Sequence, residues 1–295
     1  MTVTTAFTAL NAPNQYADLG DRRLAYRSIG DPAARPLVLC VRFRGNMDAW
    51  DPAFLDALAG AGLRVITFDY AGWGLSSGVR QLNPALLAQD AAGLLEALDL
   101  HDAVIGGWSL GGMVAQIVAA TRPQRLSHVV LIATAAPDGA ARPGEALFNE
   151  TAAIPGSSVD TDTILFFEPA SGASRAAAAA SHARIRQRTE GRSPEIDAAW
   201  AAALLGPVPR FPAFPAPQVL QALMHTALPI LHIGGDHDIA FPVENWYALN
   251  GKLPTLQLLT YPQAGHGPHH QYPEAAAGYI GTFVRTTGAS LPRPV

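Results

Sequence analysis

The stretch from Asp102 to Val118 constrains this chain most. Asp102–Trp108 reads as a buried strand, and Leu110, Met113, Val114, Ile117 and Val118 recur as one apolar stripe of a helix. Only a sharp turn fits between them, and the residues there are Gly107-Trp108-Ser109-Leu110-Gly111. A residue at such a turn holds a strained backbone, so the positions two before and two after it must be small. The turn lifts the serine hydroxyl above the carboxyl edge of a sheet and sets it at a helix N-terminus. Free N–H groups and the helix dipole favour developing negative charge there.

The same strand-then-helix rhythm runs through most of the chain, as a largely parallel sheet covered on both faces requires. Strands are predicted at Leu24–Ile29, Leu37–Phe43, Arg64–Asp69, Val129–Thr134, Ile230–Gly234 and Leu256–Tyr261. Helical faces are predicted around Trp50–Leu58, over Leu87–Leu98, near Pro242–Leu253 and from Pro273 to about Val284. From about Ala136 to Val219 the rhythm stops, and the chain turns rich in Ala, Pro, Gly and Arg. Ser171–Arg188 and Pro194–Leu205 suggest helix there, whereas Gly206–Pro217 is too proline-rich for a regular element. The expected organisation is a core of residues 1–136 and 220–295 with a mostly helical insertion over 137–219. Its large apolar groups are Phe166, Phe167, Trp200, Phe211 and Phe214.

A serine hydroxyl needs a base, and histidine has the matching pKa. Of nine histidines, His266 stands in Gly265-His266-Gly267, after the last predicted strand, on a loop leaving the same sheet edge as Ser109. His128 and His232 read as core residues, and His101, His182 and His225 as solvent-facing. The carboxylate that orients the imidazole is expected from Gly234-Gly235-Asp236-His237-Asp238, with Asp238 preferred. Asp236 suits a turn cap, and Asp138 is a third candidate. A metal site at Asp236, His237, Asp238, His266, His269 and His270 is the competing reading; H-x-x-H-H has no ligand spacing with a mechanism behind it.

Composition narrows the chemistry further. The net charge is −4 with scattered basic residues, which is not the footprint of a nucleic-acid binder. Lys252 is the only lysine, so lysine Schiff-base and P-loop chemistry are not expected. Cys40 is the only cysteine, so no disulfide forms within the chain. The first ten residues lack a basic and then apolar leader, and no apolar run reaches the 18 or so residues that span a bilayer. The expected protein is cytoplasmic, away from membranes, without metal or other cofactor, acting on a small molecule. Nothing in the sequence speaks to its oligomeric state.

Taken together, Gly107–Gly111, the turn Asp69–Ser76, the loop Gly235–Asp238 and Gly265–Gly267 resemble the α/β-hydrolase superfamily, from about Leu24 to Val284. The resemblance implies an α/β fold with a mostly parallel central sheet and an inserted helical cap. It implies a triad of Ser109, Asp238 and His266, and oxyanion donors at the backbone of Phe43 and Leu110. The chain departs from the family where His-Gly is usual, reading Val41-Arg42-Phe43-Arg44-Gly45 instead. Arg42 and Arg44 suit a structural ion pair at the sheet edge, or one of them meets a carboxylate or carbonyl of the substrate. Arg42, Trp108, Phe166 and Phe167 are the candidate pocket residues.

Dehalogenation and epoxide hydrolysis proceed through an alkyl ester on an aspartate, so a serine nucleophile here argues against both. Ester or lactone hydrolysis of a hydrophobic small molecule fits best. Carbon–carbon hydrolysis beside a ketone and haloperoxidase-type perhydrolysis use the same triad, and a binding protein on this fold is the reading from another class. A Ser109–His266 hydrogen bond, loose in the free enzyme, is expected.

Overall fold

The computed structural model describes residues 6–197, 199–200 and 214–288. Its strands are β1 (Gln15–Asp18), β2 (Arg23–Ile29), β3 (Arg35–Cys40), β4 (Leu63–Phe68), β5 (Ala103–Trp108), β6 (Leu126–Ile132), β7 (Ile230–Gly235) and β8 (Leu256–Tyr261). Its helices are α1 (Pro52–Gly60), α2 (Pro84–Ala97), α3 (Leu110–Thr121), α4 (Ala146–Ala152), α5 (Val159–Phe166), α6 (Gly172–Ile185), α7 (Ala216–Met224), α8 (Glu244–Tyr247), α9 (Pro268–Gln271) and α10 (Pro273–Thr287). The strands form one sheet in the order β1-β2-β4-β3-β5-β6-β7-β8. β2 runs against both of its neighbours, and every pair from β4 to β8 is parallel.

That order positions the site. After β3 the chain goes to one side for β4, then crosses back to place β5 on the other side of β3. The strand order therefore reverses between β3 and β5, and a crevice opens beyond their carboxyl ends. Cys40 pairs in register with Gly107, so the loop Val41–Gly45 and the Ser109 turn emerge side by side. β5 and β7 are buried at every residue, as strands covered on both faces must be. Cys40, at the end of β3, is buried against the hydroxyl of Tyr70, and burial pushes its thiol up to about 12.

The helices follow their stripes and caps. Leu87, Ala91, Leu94 and Leu95 of α2 are buried as predicted. Asn83 caps α2 by accepting from Ala85 N at 3.0 Å, and Asp51 caps α1 by accepting from Ala53 N at 2.9 Å. Both helices carry proline at the first position, where no N–H is needed.

Several expectations need correction. The strand predicted to Phe43 ends at Cys40, where the Cys40 and Val41 carbonyls come up against Gly111 of α3. β1 is a short edge strand without an apolar run of its own. The helix near Pro242–Leu253 shrinks to α8, flanked by turns. Pro194–Asp197 is irregular rather than helical, and 201–213, with Phe211, lies outside the described residues. Ala216 and Pro217 open α7 instead of ending a proline-rich loop. The expected boundary between 219 and 220 falls inside α7, which packs against α3. Among the described residues no helix is long and apolar enough to cross a membrane.

Candidate active site

Ser109 holds φ 59° and ψ −119°, a conformation that side chains rarely adopt, and it is buried between β5 and α3. The flanking glycines are required by close approach. A Cβ on Gly107 would stand 2.0 Å from the Gly111 carbonyl oxygen, and one on Gly111 would stand 1.9 Å from that of Cys40. The turn is held from beneath as well. Ser109 N donates to the Ile132 carbonyl at 3.0 Å, and Thr134 Oγ1 donates to the Ser109 carbonyl at 2.6 Å.

His266 lies on the loop after β8, and Asp238 on the loop after β7. His266 Nδ1 meets Asp238 Oδ2 at 2.9 Å and Oδ1 at 3.1 Å, with both side chains only 1% exposed. Asp238 Oδ1 also accepts from Ala240 N at 2.8 Å and Phe241 N at 2.9 Å, which fixes the carboxylate. The rival acids are engaged elsewhere. Asp236 bonds His237 and Ala264 N, and Asp138 pairs with Lys252. Trp108 Nε1 donates to the His266 carbonyl at 2.7 Å, so the residue before the serine holds the histidine loop.

Ser109 and His266 line one cavity together with Arg42, Phe43, Phe148 and Phe166. The expected hydrogen bond between Ser109 and His266 is not formed: the imidazole Nε2 is buried and has no partner among the described residues. Catalytic hydrogen bonds in a free enzyme often tighten only when substrate arrives. Leu110 is the first residue of α3, where backbone N–H groups have no partner within the helix.

Among the described residues no three His, Cys, Asp or Glu side chains come together to hold a metal ion. His269 is buried edge-on among Trp50, Phe54 and Trp108, and His270 Nε2 accepts from Asp51 N at 3.2 Å. Burial lowers His269 well below the ordinary value and His270 to about 4, so both rings are neutral at pH 7. His128 and His232 are core residues as expected, but His182 does not face solvent. Its Nδ1 meets Asp162 Oδ2 at 2.6 Å, joining α6 to α5.

The pocket candidates separate. Arg42 and Phe166 line the Ser109 cavity, whereas Trp108 and Phe167 border a smaller hollow behind them. Trp200 packs edge-on against Trp73 instead. The ion-pair reading of Arg42 and Arg44 is overturned: neither meets a carboxylate among the described residues. Arg44 donates to the carbonyls of Ala152, Ile154 and Gly156 at the end of α4. Arg42 stacks on Trp108 and Phe166, its guanidinium carbon 5.2 and 4.6 Å from their ring centres. Sequence reasoning missed Phe148 and Phe241, whose rings stand 5.3 and 5.6 Å from His266. Neither lies in a periodic pattern that marks it out.

An α/β sheet with a serine at a strained turn and a buried carboxylate–histidine pair on later loops is the architecture of the α/β hydrolases. The chain matches the alpha/beta hydrolase fold family over residues 35–273 and belongs to it. An alpha/beta hydrolase fold protein from Chitinophaga pinensis superposes with a TM-score of 0.78 at 28% identity, covering 95% of this chain and 99% of that one. A thermophilic esterase from Thermogutta terrifontis gives 0.69 at 25% identity, covering 94% and 100%. The putative non-heme bromoperoxidase BpoC of Mycobacterium tuberculosis is 28% identical over 263 residues, 85% of this chain and 94% of that protein.

Proposed function

We propose that this protein is a serine hydrolase that cleaves a carboxylic ester or lactone through an acyl-enzyme on Ser109. His266 Nε2 takes the hydroxyl proton as Oγ attacks the carbonyl carbon, and Asp238 orients and stabilises the imidazolium. The backbone N–H groups of Phe43 and Leu110 receive the oxyanion. His266 then gives its proton to the leaving alcohol, and a water deprotonated by the same ring releases the acid. The segment from 137 to the start of α7 serves as the cap. Its Phe148, Leu165 and Phe166 contribute an apolar wall for the hydrophobic part of the substrate.

The observation that carries this reading is the convergence of Ser109 and the buried His266–Asp238 pair on one cavity. The similarity to the bromoperoxidase over most of the chain favours a second reading, perhydrolysis of the same acyl-enzyme by hydrogen peroxide. A p-nitrophenyl ester assay with and without peroxide separates the two. Ser109→Ala and His266→Ala should each lower kcat by about 10³-fold or more, with the double variant scarcely worse, because triad members act as a unit. Losses that multiply, or turnover that survives Ser109→Ala, would refute the shared mechanism. A wild-type protein inert to every ester and lactone offered would point to a binding role.

A further inference from the structure

We propose that the cavity beside Ser109 takes a substrate whose chain ends in a carboxylate, and that Arg42 is the residue that selects it. This rests on the ester-hydrolase reading above and names the substrate class it leaves open.

The wall of the cavity holds four arginines: Arg42, Arg44, Arg186 and Arg192. Three of them are spent on backbone carbonyls. Arg44 ties down the end of α4, Arg186 donates to Ser157 and His182, and Arg192 donates to Ile185 and Arg188. Two acids of the same wall are committed too. Asp48 is held by Arg27 from outside the cavity and Asp162 by His182 and Ser157, while Glu195 is exposed. Arg42 differs from the other three in its Nε, which is buried and has no partner among the described residues, while its Nη1 donates to the Phe43 carbonyl at 2.8 Å.

A guanidinium carries five donors in a fixed planar fork, the geometry that matches a carboxylate. Leaving such donors unmet in a partly closed cavity costs free energy unless a ligand meets them. Burial lowers the Arg42 guanidinium to about 10, with Arg44 acting the same way and Asp162 opposing, so it stays charged at neutral pH. Arg42 lies over the rings of Trp108 and Phe166 and lines the cavity, so a ligand there can reach the guanidinium.

The position sets the length of the substrate. The two rings that carry Arg42 also carry His266, whose ring centre lies 6.3 Å from that of Phe166 and 6.0 Å from that of Trp108. A carboxylate on Arg42 is therefore a short chain away from a carbonyl on Ser109. Half-esters of small dicarboxylic acids have that spacing, with the apolar methylenes between their ends lying along Phe166.

The test compares the mono-p-nitrophenyl ester of adipic acid with p-nitrophenyl hexanoate, which matches its chain but lacks the charge. The wild-type protein should favour the adipate ester by at least tenfold in kcat/KM. Arg42→Met should lower that preference by about 30-fold or more, the scale for truncating one side of a buried charged pair. Arg42→Lys should restore part of it. A wild-type preference for hexanoate, or an Arg42→Met loss equal on both esters, overturns the proposal. Binding decides the same point without turnover. Monomethyl adipate should bind Ser109→Ala at least 30-fold more tightly than Ser109→Ala combined with Arg42→Met, by calorimetry, and equal affinities overturn the assignment. Should the wild-type protein hydrolyse neither ester, the ester reading fails while the calorimetric comparison still judges Arg42.

Discussion

The backbone of Ser109 stands where only glycine is at ease, and the surrounding hydrogen bonds hold about 1–3 kcal/mol of strain there. Ser109→Gly should therefore gain about 1 kcal/mol in urea denaturation, once the greater freedom of unfolded glycine is deducted, and Ser109→Ala should not. Equal stability of the two variants would remove strain from the account. A second residue carries a pH dependence. His232 is stacked on Trp246 at 4.3 Å with neither nitrogen bonded among the described residues, and burial pushes it down to about 3. Its folded value lies below the ordinary 6.5, so its contribution is complete above pH 6.5 and is lost as pH falls toward 3. Between pH 6.5 and 5 the loss is about 2 kcal/mol. His232→Phe should narrow the difference in Tm between pH 8 and pH 5, and an unchanged difference would refute this account. Ser109, His266 and Asp238 were legible in the sequence because each needs small neighbours or a fixed place after a strand. The environment of Arg42 was not, since what an arginine meets depends on which loops fold over it.

At the scale of elements, two of the contacts between the insertion and the core bear on the site. The Phe166 carbonyl, ending α5, accepts from Gly267 N at 2.6 Å, and a Cβ on Gly265 would stand 2.4 Å from the Phe167 carbonyl oxygen. The glycines around His266 are thus required by the passing chain, not by a strained turn. The second contact is Arg184 of α6 with Asp51, the cap of α1, through three hydrogen bonds of 2.6 to 3.1 Å. Burial acts to raise the Asp51 pKa, but the Arg184 bond and the His270 ring hold it below the ordinary value. Arg184→Met strands a buried carboxylate and should cost about 3 kcal/mol in denaturation. Adding Asp51→Asn, which removes the charge, should recover part of that, and additive losses would argue against coupling. α4 and α5 escaped sequence reasoning because Phe148, Leu165 and Phe166 line the cavity while Leu147 and Val159 stay exposed, so no stripe of helical period develops. The long regular helices α2 and α10 pack on the sheet and were legible for that reason.

For the whole molecule, the reversal of strand order between β3 and β5 gathers the Arg42 loop and the Ser109 turn at one crevice, while β7 and β8 deliver Asp238 and His266 from farther along the sheet. The succession of strands and helices was legible, because a sheet buried on both faces writes near-continuous apolar runs into each strand. How the insertion returns was not. Its far end is pinned by polar groups: Ser193 donates from N to Asp48 at 2.6 Å and from Oγ to Asp69 at 2.5 Å, while Asn46 holds the Ser193 and Pro194 carbonyls. Such bonds leave no periodic trace. The placement of Cys40 has a practical consequence. The sole thiol is shut inside the sheet and hardly ionises, so the native fold is silent toward maleimides and other thiol-directed dyes. A cysteine introduced at exposed Leu147 on α4 would be the one site such a dye finds. Fluorescence from a dye there reports on the surroundings of that helix when substrate enters, in an otherwise unaltered chain.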